Sequence, residues 1–349
     1  VSDSKGALPG LPRRVGFCVI GAGFAGLRIA ASLEEAEADY VVLDKGRSPG
    51  GRAATRRISE ARVDHGIPWL TRTGGLSDGL IDRLREDGLI ERTYVGGSVG
   101  DAWSCPEGIN RVAKHLAAGL NVLYSHRVEW VEPPRPGGRG RGGSVSIRVE
   151  GPDGEKSELR TRHLVITAPV PQAIEMAPFL AAQLGDPDPT AIYEKAVLGL
   201  ARLRHSAAIP DQVLFENPAD GIGSVILESA KFPDRPPSVT IRCDPQASDE
   251  LFDQDDEAAW AWMAGRVSGL PFLSDEPEEH QVKRWRYSKP ARPVAAPFLT
   301  LAFPGDDGDA TISACGDGFD ATAATGIATE TGLEAALAST QALLDRRPW

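Results

Sequence analysis

Short apolar runs alternate with segments of helical period along the first part of this 349-residue chain. Phe17-Cys18-Val19-Ile20 is apolar throughout, as a strand buried on both faces requires. Leu27 to Ala36 carries Leu27, Ile29, Ala30, Ala31 and Leu33 at helix-compatible spacing. Tyr40-Val41-Val42-Leu43 predicts a second buried strand, ending at Asp44. Leu76, Leu80, Ile81, Leu84 and Leu89 repeat with charges between them, and Gly88 stands where a C-terminal cap belongs. A helix over Arg111–Ala118 and strands over Asn121–Tyr124 and His126–Val131 follow. Ser144–Glu150 and Ser157–His163 complete a small antiparallel meander, with Pro133–Gly143 as its hairpin loop. His163 to Pro169 is a further buried strand ending in Ala168-Pro169.

The pattern then changes. Gln172–Leu184 is helical. From Tyr193 to Asp244 short strands (Ala196–Leu203, Gly223–Leu227, Val239–Cys243) are separated by Pro-rich turns, which suits an antiparallel sheet. Asp255–Ser268 is a helix whose Trp260 and Trp262 favour core or interface packing over a ligand cage. Val282–Pro290 alternates, with Trp285 and Tyr287 on one face and Arg284 and Arg286 on the other. Ala310–Asp317 is a strand ending in Gly316-Asp317. Gly326-Ile327 opens a helix that runs to Leu344.

Composition narrows the class. Hydrophobic residues are 41% and charged residues 25%, ordinary for a globular protein. The net charge of -11 argues against nucleic acid or an anionic membrane surface as partner. The four cysteines, Cys18, Cys105, Cys243 and Cys315, lie far apart and form neither a disulfide framework nor a metal site. A reducing, cytoplasmic setting fits. No apolar run is long enough to span a membrane. Residues 1–13 read as a flexible leader, and the oligomeric state has no signature.

The chemistry starts at Gly21-Ala22-Gly23-Phe24-Ala25-Gly26, a G-x-G-x-x-G between the first strand and its helix. Gly21 permits a tight turn, Gly23 lets a pyrophosphate approach the backbone, and Gly26 lets helix and sheet pack closely. The helix N-terminus offers unpaired N–H groups to phosphate. Asp44, followed by Lys45, ends the second strand where ribose hydroxyls need an acceptor. Strand, helix, strand and acid in register predict a dinucleotide site. Gly50-Gly51-Arg52 comes soon after, with a guanidinium able to fork onto phosphate oxygens.

This second motif resembles that of the glutathione-reductase-type flavoproteins, especially the amine oxidase and renalase branch, in which the Arg supports the FAD pyrophosphate. Gly316-Asp317 and the Gly326 helix resemble the motif that binds the ribityl chain and faces the flavin. Arg284-Trp285-Arg286-Tyr287-Ser288 resembles a renalase signature. Asp64-His65-Gly66 resembles a flavin-facing phrase, but Ile67-Pro68-Trp69 departs from the family's pattern, and a structural role suits His65 best. The resemblance implies an α/β fold: a Rossmann-type, glutathione-reductase-type FAD-binding domain (14–70, 101–169 and 295–349) with an inserted α+β substrate domain on an antiparallel sheet (71–100 and 170–294). It adds Val128 near the adenine and Ala168 at the domain crossing as cofactor contacts. It further implies an oxidoreductase passing a hydride from a small substrate, a dihydropyridine nucleotide isomer or an amine, to the flavin, with O2 or NAD(P)H as redox partner. Trp69, Tyr287 and Lys289 are the candidate catalytic residues. A biosynthetic dehydrogenase, desaturase or NAD(P)H-dependent monooxygenase is the alternative, and a flavin-binding protein without turnover a third. Only one G-x-G-x-x-G stands between a predicted strand and helix and no second complete Rossmann unit is apparent, so nicotinamide would act as a diffusible partner.

Overall fold

The computed structural model describes residues 10–95, 101–134, 143–184, 193–205, 213–232, 234–270, 277–305, 308–320 and 332–346. The chain divides into two compact units. Val1–Gly51, Ala113–Ile192 and Pro290–Trp349 make the first; Arg52–Val112 and Tyr193–Lys289 make the second.

The first unit is built on an 8-stranded sheet. Strand Arg14–Ile20 lies between Tyr40–Asp44 and Lys156–Ile166, parallel to both. Val122–Tyr124 extends the parallel set on one side and Ala310–Ala314 on the other, before antiparallel Leu299–Phe303 closes that edge. Cys18, Val19, Val41, Val42 and Leu43 are fully buried, as the uninterrupted apolar runs require. Helix Phe24–Glu35 packs on this sheet with Leu27, Ile29, Ala30 and Leu33, alongside Ala113, Ala117 and Leu343.

Three local expectations change. The meander strand and the Ala168 strand are one element, Lys156–Ile166, which pairs antiparallel with Val145–Glu150 and parallel with Arg14–Ile20. Polar positions at its start and apolar ones at its end make one strand read as two. The helix expected over Gln172–Leu184 is Val170–Met176, a 3-10 turn at Pro178–Leu180, then Ala181–Leu184. Pro178 breaks it, because a residue before proline is pushed out of the helical region, as Ala177 is at φ -138 and ψ 71. Leu11 is buried, so the chain is packed before residue 14; residues 1–9 lie outside the described set.

The second unit carries a 5-stranded sheet in the order Leu214–Ala219, Ile222–Leu227, Ser238–Cys243, Tyr193–Arg202, Glu279–Pro290. One face holds Val197, Ala201, Val239 and Ile241 against helices Pro245–Leu251 and Asp256–Val267. Each helix is capped by an aspartate, Asp244 and Asp255, accepting from a backbone N–H. Trp260 belongs to this core and stacks on His280. On the other face Ala196, Leu198, Leu200 and Trp285 receive Ile58, Ala61 and Val63 of the hairpin Thr55–Ile58/Ala61–Asp64. That packing places residues 52–70 in this unit, not with the glycine motif. Residues 101–112 join it through the Asp101–Ser104 sheet, and residues 170–184 pack with the first unit. The unit boundaries therefore differ from those expected at 70, 101 and 169.

The four cysteines are free and buried, and burial pushes the thiols of Cys243 and Cys315 up to about 12. Among the described residues, no helix is long and apolar enough to cross a membrane.

Candidate functional site

In the first unit the glycine motif forms a cradle at the carboxyl ends of three neighbouring parallel strands, the edge where open α/β sheets bind ligands. Gly21 leaves Arg14–Ile20 at φ +104, and Gly316 leaves Ala310–Ala314 at φ +138. Between them Thr167 Oγ1 donates to the Ile20 carbonyl, 2.9 Å. A Cβ on Gly26 would stand 1.8 Å from the Gly21 carbonyl oxygen, so helix and strand touch backbone to backbone. A Cβ on Gly23 would meet nothing within 4 Å among the described residues, which leave the space above it open. No side chain caps the helix that starts at Phe24 and Ala25, and its first turn carries no acid. Its partial positive charge is thus available to an anion.

The second glycine pair belongs to the same cradle. Gly50 N donates to the Ala22 carbonyl, 2.8 Å, and Gly51 lies against Gly23. Asp44 Oδ2 accepts from Ala22 N and Oδ1 from Gly46 N, both at 2.6 Å. The acid therefore locks the turn while keeping further lone pairs for a ribose. Lys45, beside it, is exposed. His126 N donates to the Asp44 carbonyl, and His126 Nδ1 meets Tyr124 O at 2.7 Å. His126 Nε2 is buried without a hydrogen-bond partner among the described residues. Val128 is buried in the outer strand Arg127–Glu132. Asp317 is buried just after Gly316, whose N–H donates to Ser339 Oγ, 2.9 Å. Gly326 and Ile327 lie outside the described residues. An open glycine, an uncapped helix start and an orphaned imidazole nitrogen fit a dinucleotide.

In the second unit Asp64 is a hub, and its carboxylate is not open to a cofactor. Its side chain is 1% exposed. Oδ1 accepts from Thr55 Oγ1 (2.6 Å) and Ile109 N (3.0 Å), and Oδ2 from Lys231 Nζ (3.2 Å). Lys231 also donates to Glu228 Oε2 (2.8 Å) and Pro68 O (2.9 Å) and lies 5.7 Å from the Trp69 ring. Arg235 pairs with Glu228 at 3.3 Å. Burial raises the Glu228 carboxyl, against the pull of Lys231. Trp69 itself packs on Val95, Ala102 and Val213. Gly66 is fixed by close approach, since a Cβ there would stand 1.7 Å from Arg52 O.

His65 stacks on Trp285 at 5.5 Å, and the Trp285 indole donates to His65 O at 2.6 Å. Burial lowers the His65 imidazole to about 4, aided by Lys283, so it is neutral at pH 7. The alternation of the last strand holds: Arg284 pairs with Asp256 and Arg286 lies over Phe252 on the helical face, away from Trp285. Tyr287 meets Tyr193 edge to face at 5.8 Å. Arg52 lies over the same Tyr193 ring and donates to Ser288 O, 3.1 Å. Lys289 is exposed and makes no ion pair among the described residues.

A family model for flavin-containing amine oxidoreductases matches residues 84–338, and one for an NAD(P)-binding Rossmann-like domain matches residues 19–84. The chain belongs to the flavin-containing amine oxidoreductases. No curated protein matches the sequence. Solved structures similar in fold include a protein named as a protoporphyrinogen oxidase from Exiguobacterium sp. (13% identity, 96% of this chain and 98% of that one, TM-score 0.69). Another is putrescine oxidase bound to putrescine (12% identity, 96% and 99%, TM-score 0.65). A fatty acid isomerase from P. acnes is similar over 79% of this chain and 87% of its own (14% identity, TM-score 0.54).

This amine oxidoreductase is an FAD-dependent enzyme: the family is flavin-containing, and the cradle is shaped for a dinucleotide. Gly21, Gly23, Gly26, Asp44, Gly51, Ala168 and Gly316 are brought to one edge of one sheet. Arg52, Asp64, His65, Gly66, Trp69, Tyr287 and Lys289 belong to the second unit. Sequence reasoning missed Glu228, Lys231 and Arg235. The one local signal was a Glu and a Lys three apart directly after the apolar strand Ile222–Leu227.

Proposed function

We propose that this amine oxidoreductase is a renalase-like or amine-oxidase-like oxidase of a small substrate, either a dihydropyridine nucleotide isomer or an amine. The chemistry supplied by FAD, when bound, is two-electron oxidation of that substrate, with O2 as re-oxidant and H2O2 as by-product. The first unit holds the cofactor: Gly23 and the uncapped helix receive the pyrophosphate, Asp44 the ribose, and Asp317 the ribityl chain. The second unit recognises substrate with Tyr193 and Tyr287. The observation that carries this reading is the edge-to-face contact between Tyr287, on the strand that resembles the renalase signature, and Tyr193 of a neighbouring strand. Tyr287 orients a planar substrate by its ring, and Lys289 offers an exposed ammonium for ordering a water.

A second reading, a biosynthetic dehydrogenase or NAD(P)H-dependent monooxygenase, is favoured by Ile67-Pro68-Trp69. Here the Pro68 carbonyl is taken by Lys231 and Trp69 is packed, so this segment presents no side-chain amide to a substrate. An anaerobic reduction screen decides. Flavin bleaching by dihydropyridine isomers or amines, followed by peroxide on admitting air, supports the oxidase. Bleaching by ordinary NADPH alone supports the monooxygenase.

A further inference from the structure

Arg242 is a guanidinium with no carboxylate partner at ion-pair distance among the described residues. It lies in the central strand Ser238–Cys243, opposite Leu198 and Ser224, on the same face as Thr240. Thr240 donates to Asp64 O, so this is the face that carries the hairpin and the Asp64 network, not the helices. Arg242 Nη2 donates to Ser288 Oγ at 2.7 Å. Among the described residues no carboxylate stands within ion-pair distance of it; Glu194 acts only from farther away. A guanidinium keeps its charge, and half-burying it against a neutral hydroxyl leaves most of its desolvation uncompensated. The lowered Arg242 pKa, caused first by burial, reports that cost.

The surroundings of Ser288 add to this. Arg52 donates to the Ser288 carbonyl while Arg242 donates to its hydroxyl, so two guanidiniums converge on one residue. Its chain neighbours are Tyr287, paired with Tyr193, and the exposed Lys289. Positive charge beside two aromatic rings suits a flat molecule carrying an anion. It disfavours an ammonium, which in this setting would meet like charge, while no carboxylate among the described residues stands at ion-pair distance of Arg242.

We infer that Arg242 anchors a carboxylate or phosphate of the substrate, and that this enzyme therefore oxidises an anionic, ring-bearing molecule and not a cationic amine. This rests on the oxidase reading and chooses between its two substrate classes, in favour of the phosphate-bearing nucleotide.

The test is calorimetric titration of the holoenzyme with benzoate and with benzylamine, which share a ring and differ in charge. Benzoate is expected to bind saturably and more tightly than benzylamine. Arg242→Met should weaken benzoate at least tenfold, and Arg242→Lys, keeping charge but losing the fork, should fall between. Equal benzoate affinity in wild type and Arg242→Met overturns the inference, as does a wild-type preference for benzylamine. Should Arg242→Met not fold, the wild-type comparison and Arg242→Lys still decide. Bound flavin is measured in parallel. If Arg242→Met sheds FAD without loss of benzoate affinity, the arginine serves the cofactor phosphates and the inference fails. If the wild type itself retains no flavin, the oxidase reading fails, while the titrations still report on Arg242.

Discussion

At the scale of single residues, two acids with similar neighbours in sequence do opposite work. Asp44 sits at a strand end with Oδ2 on the Ala22 N–H of the glycine turn and Oδ1 on the Gly46 N–H just after the strand. Hydrogen bonds to a charged group are worth about 1.5–3 kcal/mol each. Asp44→Ala should therefore loosen the turn and weaken FAD binding tenfold or more, read by flavin retention on dilution. Asp64 instead balances Lys231 in the protein interior. Lys231→Met leaves Asp64 and Glu228 buried with less compensation, and removing one partner from a buried ionic cluster costs about 3–5 kcal/mol. The thermal midpoint should drop accordingly, whether or not flavin is added. His65 supplies a pH signature. Its folded pKa of about 4 lies below the ordinary 6.5, so the unfolded chain binds more protons between those values. Stability should fall as pH drops from 6.5 toward 4, and His65→Gln should flatten that slope; His163, also lowered to about 4, leaves a remainder. A thermal-shift series across that range reads both. Asp44 was legible because its partners are local. Asp64 was not, because Lys231 lies 167 residues away and nothing in either neighbourhood names the other.

At the scale of elements, periodicity told strand from helix well where an element has one environment. Tyr40–Asp44 and Asp256–Val267 match their patterns to within a residue or so. It failed at Lys156–Ile166, whose first half is an alternating hairpin strand and whose second half is a buried parallel one. The Glu279–Pro290 alternation was readable because each face meets a different neighbour, helices on one side and the hairpin on the other. Arg242 was not read at all: a lone arginine in an apolar strand has no pattern until its neighbours in the fold are visible. The junction of the first strand and helix is the most exacting element contact. Gly26→Ala would press a methyl into the Gly21 carbonyl. The expected result is a separated helix, a lower melting temperature and no retained flavin; a yellow, fully stable variant would contradict it.

At the scale of the whole molecule, the chain crosses between its two compact units several times, and the short motifs fall on both sides of those crossings. Gly51 and Arg52 are neighbours in sequence but belong to different units, which is why a motif read as one phrase separates into a backbone cradle and a side-chain contact with Ser288. Sequence motifs follow the chain; sites follow packing.

The parallel sheet of the first unit also sets a schedule. The strand at Arg14–Ile20 waits for Lys156–Ile166, and the cradle gains its last wall only with Ala310–Ala314. At roughly 5–20 residues per second of synthesis, the first strand spends on the order of ten seconds without that neighbour. A nascent or truncated chain carries the glycine turn but has no finished floor on which to keep a nucleotide. Cofactor capture therefore waits for Ala310–Ala314, and flavin, by mass action, stabilises molecules with the completed cradle in preference to shorter ones.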